Sequence, residues 1–389
     1  MKPDKNIISM KSIVIWESLS ILAGGQKVSL DILDALRDEY RCIFFVPEEG
    51  PLTQKLREKG VKYEIVPIGN YSIGKKGFLD ILKLSYNFPR VFKEVYQYVK
   101  KNNIHLIYSN GARCFIWSSI IGSLLSVPVI WHVHSLFEDQ KSVLILSQLG
   151  KLESVKNIIF VSNTAKSQFP SLSDKSTVVY NGINVDEVDK ESSHSDIRNE
   201  FNIPQSKKIV STISWIMKPK GQHILIKSIP YILNQYENVH FLVVGGIRER
   251  YETYYNLLRR DIKKMGIESH VTFTGHRNDV PSLLRKISMN SINSLESCPL
   301  IILEAACLGV PTIGPNIGGI PELIRNGETG LIYKFGDEKD LAEKILMLLK
   351  NEDLYFMMRE NCKAYVKEFD ISKFNGQIKK IVEYVIGSL

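Results

Sequence analysis

Residues 290–330 read NSINSLESCPLIILEAACLGVPTIGPNIGGIPELIRNGETG. An apolar run ends in the carboxylate of Glu296, and a tight Ser297-Cys298-Pro299 turn follows. A helix then begins, with Glu304 a little over one turn inside it. Ser297 is placed to cap that helix, and Pro299 fits its first turn, where a backbone N–H has no intrahelical partner. Gly309 ends the helix and Pro311 blocks its continuation. A short strand, Thr312-Ile313-Gly314, leads to a second glycine turn at Gly318-Gly319, and Pro321 opens another short helix beside Glu322.

Such a unit suits an anionic, hydroxyl-rich ligand. A helix N-terminus offers unpaired N–H groups and the positive end of a dipole, which favours phosphate. Glu304 lies about 7–8 Å along the helix at 1.5 Å per residue. A carboxylate there accepts two neighbouring hydroxyls, as on a ribose. Glu296, across the turn, can accept hydroxyls of a second ring. Two such carboxylates flanking an anion site fit a sugar nucleotide. Ordinary surface carboxylates explain the spacing equally well.

Glu296-x7-Glu304, then Glu-Ala-Ala-Cys-Leu-Gly-Val-Pro, then Gly-Gly-Ile-Pro-Glu-Leu-Ile-x-Asn-Gly-x-Thr-Gly, resembles the donor-site signature of glycosyltransferase family 4, the group 1 glycosyltransferases. The resemblance implies the GT-B fold: an α/β protein of two Rossmann-like, doubly wound parallel-sheet domains facing across a cleft. It implies a retaining enzyme that moves a sugar from a nucleoside diphosphate sugar, with UDP as the carrier. The acceptor would be a glycan or a lipid-linked intermediate in surface polysaccharide synthesis.

Outward from this block, the rest of the chain fits that expectation. Strands are expected at Ser12–Trp16, Arg41–Val46, Val61–Pro67, Ile104–Ser109, Val127–Val133 and Asn157–Ser162, with helices between them. The second half repeats the pattern, with strands at Lys208–Ser214, Val239–Val244 and Val271–Phe273. Strands alternating with helices form a parallel sheet with helices on both faces, and ligands bind at the carboxyl ends of its strands. The expected organisation is residues 1–185 as the N-terminal acceptor-binding domain and 186–371 as the donor domain. By resemblance, residues 372–389 form a helix crossing back to the first domain.

Length and composition agree with two full cores: 389 residues, 44% hydrophobic and 24% charged. Five scattered cysteines without CxxC or metal spacing suggest reduced thiols. Cys114–Trp131 carries no charge over eighteen residues, but its serines, Gly122 and Pro128 favour a buried helix and a strand over a membrane span. The N-terminus lacks the apolar core of a signal peptide. Net charge is +8 and unevenly placed. Between Tyr71 and Lys101, seven basic residues (Lys75, Lys76, Lys83, Arg90, Lys93, Lys100, Lys101) face two acids and interleave with aromatics. A basic, aromatic helix can lie on an anionic membrane surface, and an ordinary surface helix reads the same way. The expectation is a cytoplasmic protein, with peripheral contact at the inner face of the membrane through 71–101 as one reading. Nothing recognisable points to nucleic acid.

The resemblance also places the site. Lys220 matches the lysine that meets the donor diphosphate, and as a point charge it suits a leaving phosphate. Gly24-Gly25 matches a glycine loop near the donor phosphates, so Gly25 joins the donor site. His134, after the strand Val127–Val133, matches a histidine that reaches the transferred sugar. A strand-end histidine bonded to a neighbouring loop is the structural alternative, and a His132–His134 metal pair lacks a third ligand. Glu304 would take ribose hydroxyls and Glu296 those of the sugar. Pro299 stands where many members have glycine and offers no N–H, so the phosphate cradle rests on the Leu300 and Ile301 amides. The family has an arginine five residues before Lys220, where this chain has Trp215. Lys218 is the candidate substitute. The chain holds no Asp-x-Asp, so no metal and no cofactor are expected. Two other readings stay open: a glycoside hydrolase or phosphorylase with Glu296 and Glu304 as its acid and base, the lysine loop arguing against a hydrolase, and a weak or inactive nucleotide-sugar-binding protein, motivated by Trp215.

Overall fold

The structure, a computed structural model, describes residues 10–68, 78–190 and 196–388. The chain divides into two units: residues 1–182 together with Ile371–Leu389, and Ile183–Asp370.

The first unit is built on seven parallel strands: β1 (Ser12–Glu17), β2 (Arg41–Val46), β3 (Tyr63–Ile65), β4 (Ile104–Asn110), β5 (Val129–Val133), β6 (Val155–Phe160) and β7 (Ser176–Val178). Their order is β3-β2-β1-β4-β5-β6-β7. β1, SIVIWE, is buried along its whole length. A strand covered on both faces has no polar side to show, which is why it reads as a continuous apolar run. The order reverses between β1 and β4, and there Glu17 pairs in register with Asn110 at the carboxyl ends of the two strands. The helix Ala112–Leu125 and β5 take up the uncharged stretch between Cys114 and Trp131. Val127 N–H bonds back to Gly122 O where the helix ends.

The helix Ile371–Gly387 belongs to this unit and packs on the helix Gly24–Leu36. Phe374, Ile378, Val382, Val385 and Ile386 are buried along one face of it, at helical spacing. Burying five such side chains contributes on the order of 10 kcal/mol before entropy is counted.

The second unit holds six parallel strands: β8 (Lys208–Ile213), β9 (Val239–Val244), β10 (Val271–Gly275), β11 (Met289–Ser291), β12 (Thr312–Pro315) and β13 (Gly330–Tyr333). Their order is β10-β9-β8-β11-β12-β13, so the reversal lies between β8 and β11. Each unit is therefore a doubly wound, Rossmann-like parallel sheet, as expected from the sequence. The polar segment after Asp186 is not an open linker throughout, for helices cover Val185–Lys190 and Ile197–Glu200. The second of these is capped by Asp196.

Two local expectations are corrected. Gly24 and Gly25 are not a loop ahead of a helix but its first turn, with Ala23 as the N-cap and Gln26 and Lys27 N–H bonded to Ala23 O. The helix Leu300–Cys307 starts one residue after Pro299, not with it. Pro299 is the N-cap, held extended at φ −72°, ψ 118°, and its own side chain makes no capping hydrogen bond. Ser297, two residues further back, is buried. In the basic stretch a helix spans Phe78–Lys101 with Pro89 inside it, while residues 71–77 lie outside the described part. Among the described residues no helix is long and apolar enough to cross a membrane.

Candidate functional site

In the second unit the candidate residues gather at the carboxyl ends of β8 and β11, where the strand order reverses. Open sheets bind ligands at such a switch point. After β8 the chain is stitched to the loop beyond β9: Ser214 N–H bonds to Val244 O (2.9 Å) and Ile216 N–H to Gly246 O (3.0 Å). A turn at Lys218–Lys220 follows, then Gly221 at φ 69°, then the helix Gln222–Leu233. A Cβ on Gly221 would overlap the carbonyl oxygen of Asn293, which follows β11. Glycine there lets the two loops touch, so residues far apart in sequence share one place.

Lys220 and Glu296 are brought into direct contact, Nζ against Oε1, with the two side chains 28% and 22% exposed. Ser294 donates its hydroxyl to the same oxygen at 2.9 Å. The backbone of Glu296 is held too. Gly319 N–H bonds to its carbonyl at 2.9 Å, and a Cβ on Gly318 (φ 67°) would overlap that carbonyl. Gly221 and the Gly318-Gly319 turn thus fix the lysine and the carboxylate. The sequence offered Lys220 to a phosphate and Glu296 to hydroxyls, and the structure pairs them with each other.

Leu300 and Ile301 open their helix, where the first N–H groups have no intrahelical acceptor and the proline N-cap supplies none. Glu304, half-buried, lies in the second turn of the same helix. Lys218 is exposed at the start of the Lys218–Lys220 turn.

Trp215 is 36% exposed. The Arg248 guanidinium carbon lies 4.6 Å from its ring centroid, and the His276 ring lies 6.0 Å away at 19° to it. Gly246 supports the indole, for a Cβ there would come within 2.9 Å of the ring. An isolated bridge joins Ile216 to Ile247, so Arg248 comes one residue, and Lys218 two residues, after paired backbone. Where the sequence showed a cation missing, the fold brings Arg248 from the next loop and holds it against the tryptophan by cation–π attraction. Sequence reasoning missed Arg248 and His276, because only the β8–β9–β10 order reveals that three strand-end loops meet.

In the first unit the reversal between β1 and β4 holds a buried polar network. Glu17 is fully buried. It accepts from Ser18 N–H (3.1 Å), Gln26 Nε2 (3.0 Å), Asn110 Nδ2 (2.6 Å) and the Ser29 hydroxyl. Asn110 Nδ2 also contacts Gly25 O (3.0 Å) and Ser29 Oγ (2.6 Å), and Asn110 Oδ1 lies 2.5 Å from His134 Nε2. Burial pushes Glu17 up to about 7 against the pull of its hydrogen bonds. Desolvation holds His134 down at about 4, so its ring is neutral at pH 7. His132, buried 4.2 Å from it between ring centroids and bonded to Tyr108, is also held neutral. Gly25 contributes its carbonyl to this network, and a Cβ on it would meet no protein atom within 4 Å. Glu17 carried the same signal as Glu296, an acid closing an apolar run, and the sequence reading passed over it.

Two family profiles match the chain in succession. The one described as Glycosyltransferase Family 4 covers residues 22–187, and the one described as Glycosyl transferases group 1 covers residues 193–368. The N-acetyl-alpha-D-glucosaminyl L-malate synthase of Bacillus anthracis is 32% identical over 187 residues, so the chain spans about half (48%) of that relative's length. The UDP-Gal:alpha-D-GlcNAc-diphosphoundecaprenol alpha-1,3-galactosyltransferase of Escherichia coli is 25% identical over 384 residues, covering 93% of this chain and 94% of its own. Among solved structures, Anabaena HepE in complex with UDP and glucose superposes with a TM-score of 0.82 at 21% identity, covering 96% of this chain and 100% of its own.

Proposed function

Because this chain belongs to the group 1 glycosyltransferases of family 4, we propose that it transfers a sugar from a nucleoside diphosphate sugar, UDP being the carrier, to a glycan or lipid-linked acceptor. The observation that carries this reading is the Lys220–Glu296 pair at the strand-order reversal, beside the N-terminus of the helix Leu300–Cys307. Lys220 neutralises the leaving diphosphate, together with the Leu300 and Ile301 amides, Lys218 and the Arg248 guanidinium. Glu304 takes ribose hydroxyls, and Glu296, released from Lys220, takes hydroxyls of the sugar. Charge placed in advance where the leaving group develops its own is the largest ordinary source of rate enhancement. His134 is the first unit's candidate contact to a sugar hydroxyl. Transfer proceeds with retention and without a metal ion or other cofactor, as the family resemblance implies. The Escherichia coli relative, named for a UDP-sugar and a lipid-linked acceptor, and the UDP-bound HepE structure support the choice of carrier and acceptor class. The site of action is the cytoplasm, with peripheral contact at the inner face of the membrane through 71–101 as one reading, and the product serves surface polysaccharide synthesis.

A second reading, a nucleotide-sugar-binding protein without turnover, rests on Trp215. Arg248 weighs against it, since it supplies a guanidinium from a neighbouring loop.

Incubating the purified chain with a panel of nucleotide sugars, with and without lipid-linked acceptors, tests both. The expected result is a thermal shift and released nucleoside diphosphate for one donor, undiminished by chelator, with the donor's anomeric configuration retained in the product. A shift without release for any donor and acceptor would favour the binding protein. No shift at all would sink the donor-site assignment. Sedimentation of the same preparation with anionic vesicles at low salt checks the membrane contact, and an unbound protein removes it.

A further inference from the structure

Glu17 is a fully buried carboxyl whose hydrogen-bond partners are all neutral. A carboxyl in such a place is costly unless something depends on it. It ends β1 beside the strand-order reversal, in register with Asn110. Asn110 in turn is the residue that touches the His134 ring.

The contacts fix which way the Asn110 amide points. One of its two polar atoms faces Glu17 Oε1, Gly25 O and Ser29 Oγ. A carboxylate and a carbonyl oxygen accept only, so that atom is the NH2 group. Oδ1 is therefore the atom facing His134, and it too only accepts. The nitrogen it faces, Nε2, must carry the proton, and in a neutral ring Nδ1 is then the acceptor. A bond on one ring nitrogen sets the tautomer at the other.

We propose that Glu17 and Asn110 are positioning residues for His134, locking its ring in the Nε2–H tautomer so that Nδ1 is presented as a hydrogen-bond acceptor for a hydroxyl of the sugar or acceptor. Glu17 acts through two bonds. When ionised it polarises the Asn110 amide, strengthens the hold of Oδ1 on the His134 N–H, and makes Nδ1 a better acceptor. The groups around it leave it as the one that titrates near neutrality. Gln26 and Ser29 on the helix Gly24–Leu36 are uncharged, and the Cys114 thiol on the helix Ala112–Leu125 is raised well above its usual range by burial and by Glu17. His132 and His134 are both depressed. The activity consequence rests on the transferase reading above, while the tautomer does not.

The test uses the full chain with nitrogen-15-labelled histidine, the His134 signal being identified by its loss in His134→Gln. In the wild type the ring should show the Nε2–H tautomer, and Asn110→Ala should give a mixture or the other tautomer. With the donor found in the panel, kcat should rise through a limb near Glu17's midpoint of about 7. Glu17→Gln, which keeps shape and hydrogen bonding, should flatten that limb, with donor KM within about threefold of wild type. Asn110→Ala should lower kcat about tenfold or more. An Nδ1–H tautomer in the wild type, or a limb unchanged in Glu17→Gln, overturns the proposal. If no donor is turned over, the transferase reading fails by itself and the wild-type tautomer still decides the positioning role.

Discussion

At the residue scale the informative pair is Lys220 and Glu296. Each was legible from sequence, one as a phosphate's counter-charge and one as a hydroxyl acceptor. Their contact was not legible, because seventy-six residues separate them and only the pairing of β8 with β11 closes the distance. The contact makes a prediction of opposite signs. Glu296→Gln frees the lysine and removes a like charge from beside the diphosphate. A partly exposed pair of this kind is worth up to about 1 kcal/mol, so nucleoside diphosphate should bind up to about fivefold tighter. Turnover should fall by about a hundredfold, since a transition-state contact is lost. Calorimetric titration with UDP beside a rate measurement checks both, and weaker UDP binding in the variant would show that the ion pair does not compete with the ligand. Trp215 makes a related point. Read alone it was a missing cation. In the fold it is the surface on which a different arginine rests.

At the element scale most strands and helices were legible from their apolar runs, though β13 was not expected. The ends were less so. Pro299 stands outside the helix it was expected to begin, since its extended ψ places the first helical residue at Leu300. The sequence reading was silent on the helix Gln140–Gly150. Its run Val143-Leu144-Ile145-Leu146 has no helical period, and Leu144 and Ile145 stay largely exposed. The glycine turns were legible as turns, but what each holds apart was not. Gly221 and Gly266 share nearly the same φ, 69° and 66°. A Cβ on Gly221 runs into Asn293, whereas one on Gly266 meets open space. Gly266→Ala should therefore cost about 1 kcal/mol, the strain of a left-handed alanine. Gly221→Ala should cost about 2–4 kcal/mol and weaken donor binding, because the Lys220 loop must retreat from β11. Equal losses in denaturant titrations would mean that the close approach carries no weight.

At the scale of the whole molecule the fold class was legible because the same alternation occurs twice along the chain. The strand orders were not, and with them went the Glu17 network, which needs β1 beside β4 with ninety-three residues between Glu17 and Asn110. The first unit is also discontinuous, closed by the helix Ile371–Gly387. Ending the chain at Asp370 removes on the order of 10 kcal/mol of burial, comparable to the entire net stability of a domain. Calorimetry of such a chain should show one cooperative transition, matching that of the isolated fragment 183–370. Two undiminished transitions would mean the helix is dispensable. The discontinuity also orders events at the ribosome, where segments fold as they emerge. Residues of the first unit appear first, yet they wait for their last helix until every residue of the second unit has been made. Of the two units the one translated earlier is completed later, and its exposed helix Gly24–Leu36 is a surface that a nascent-chain chaperone has a long time to meet.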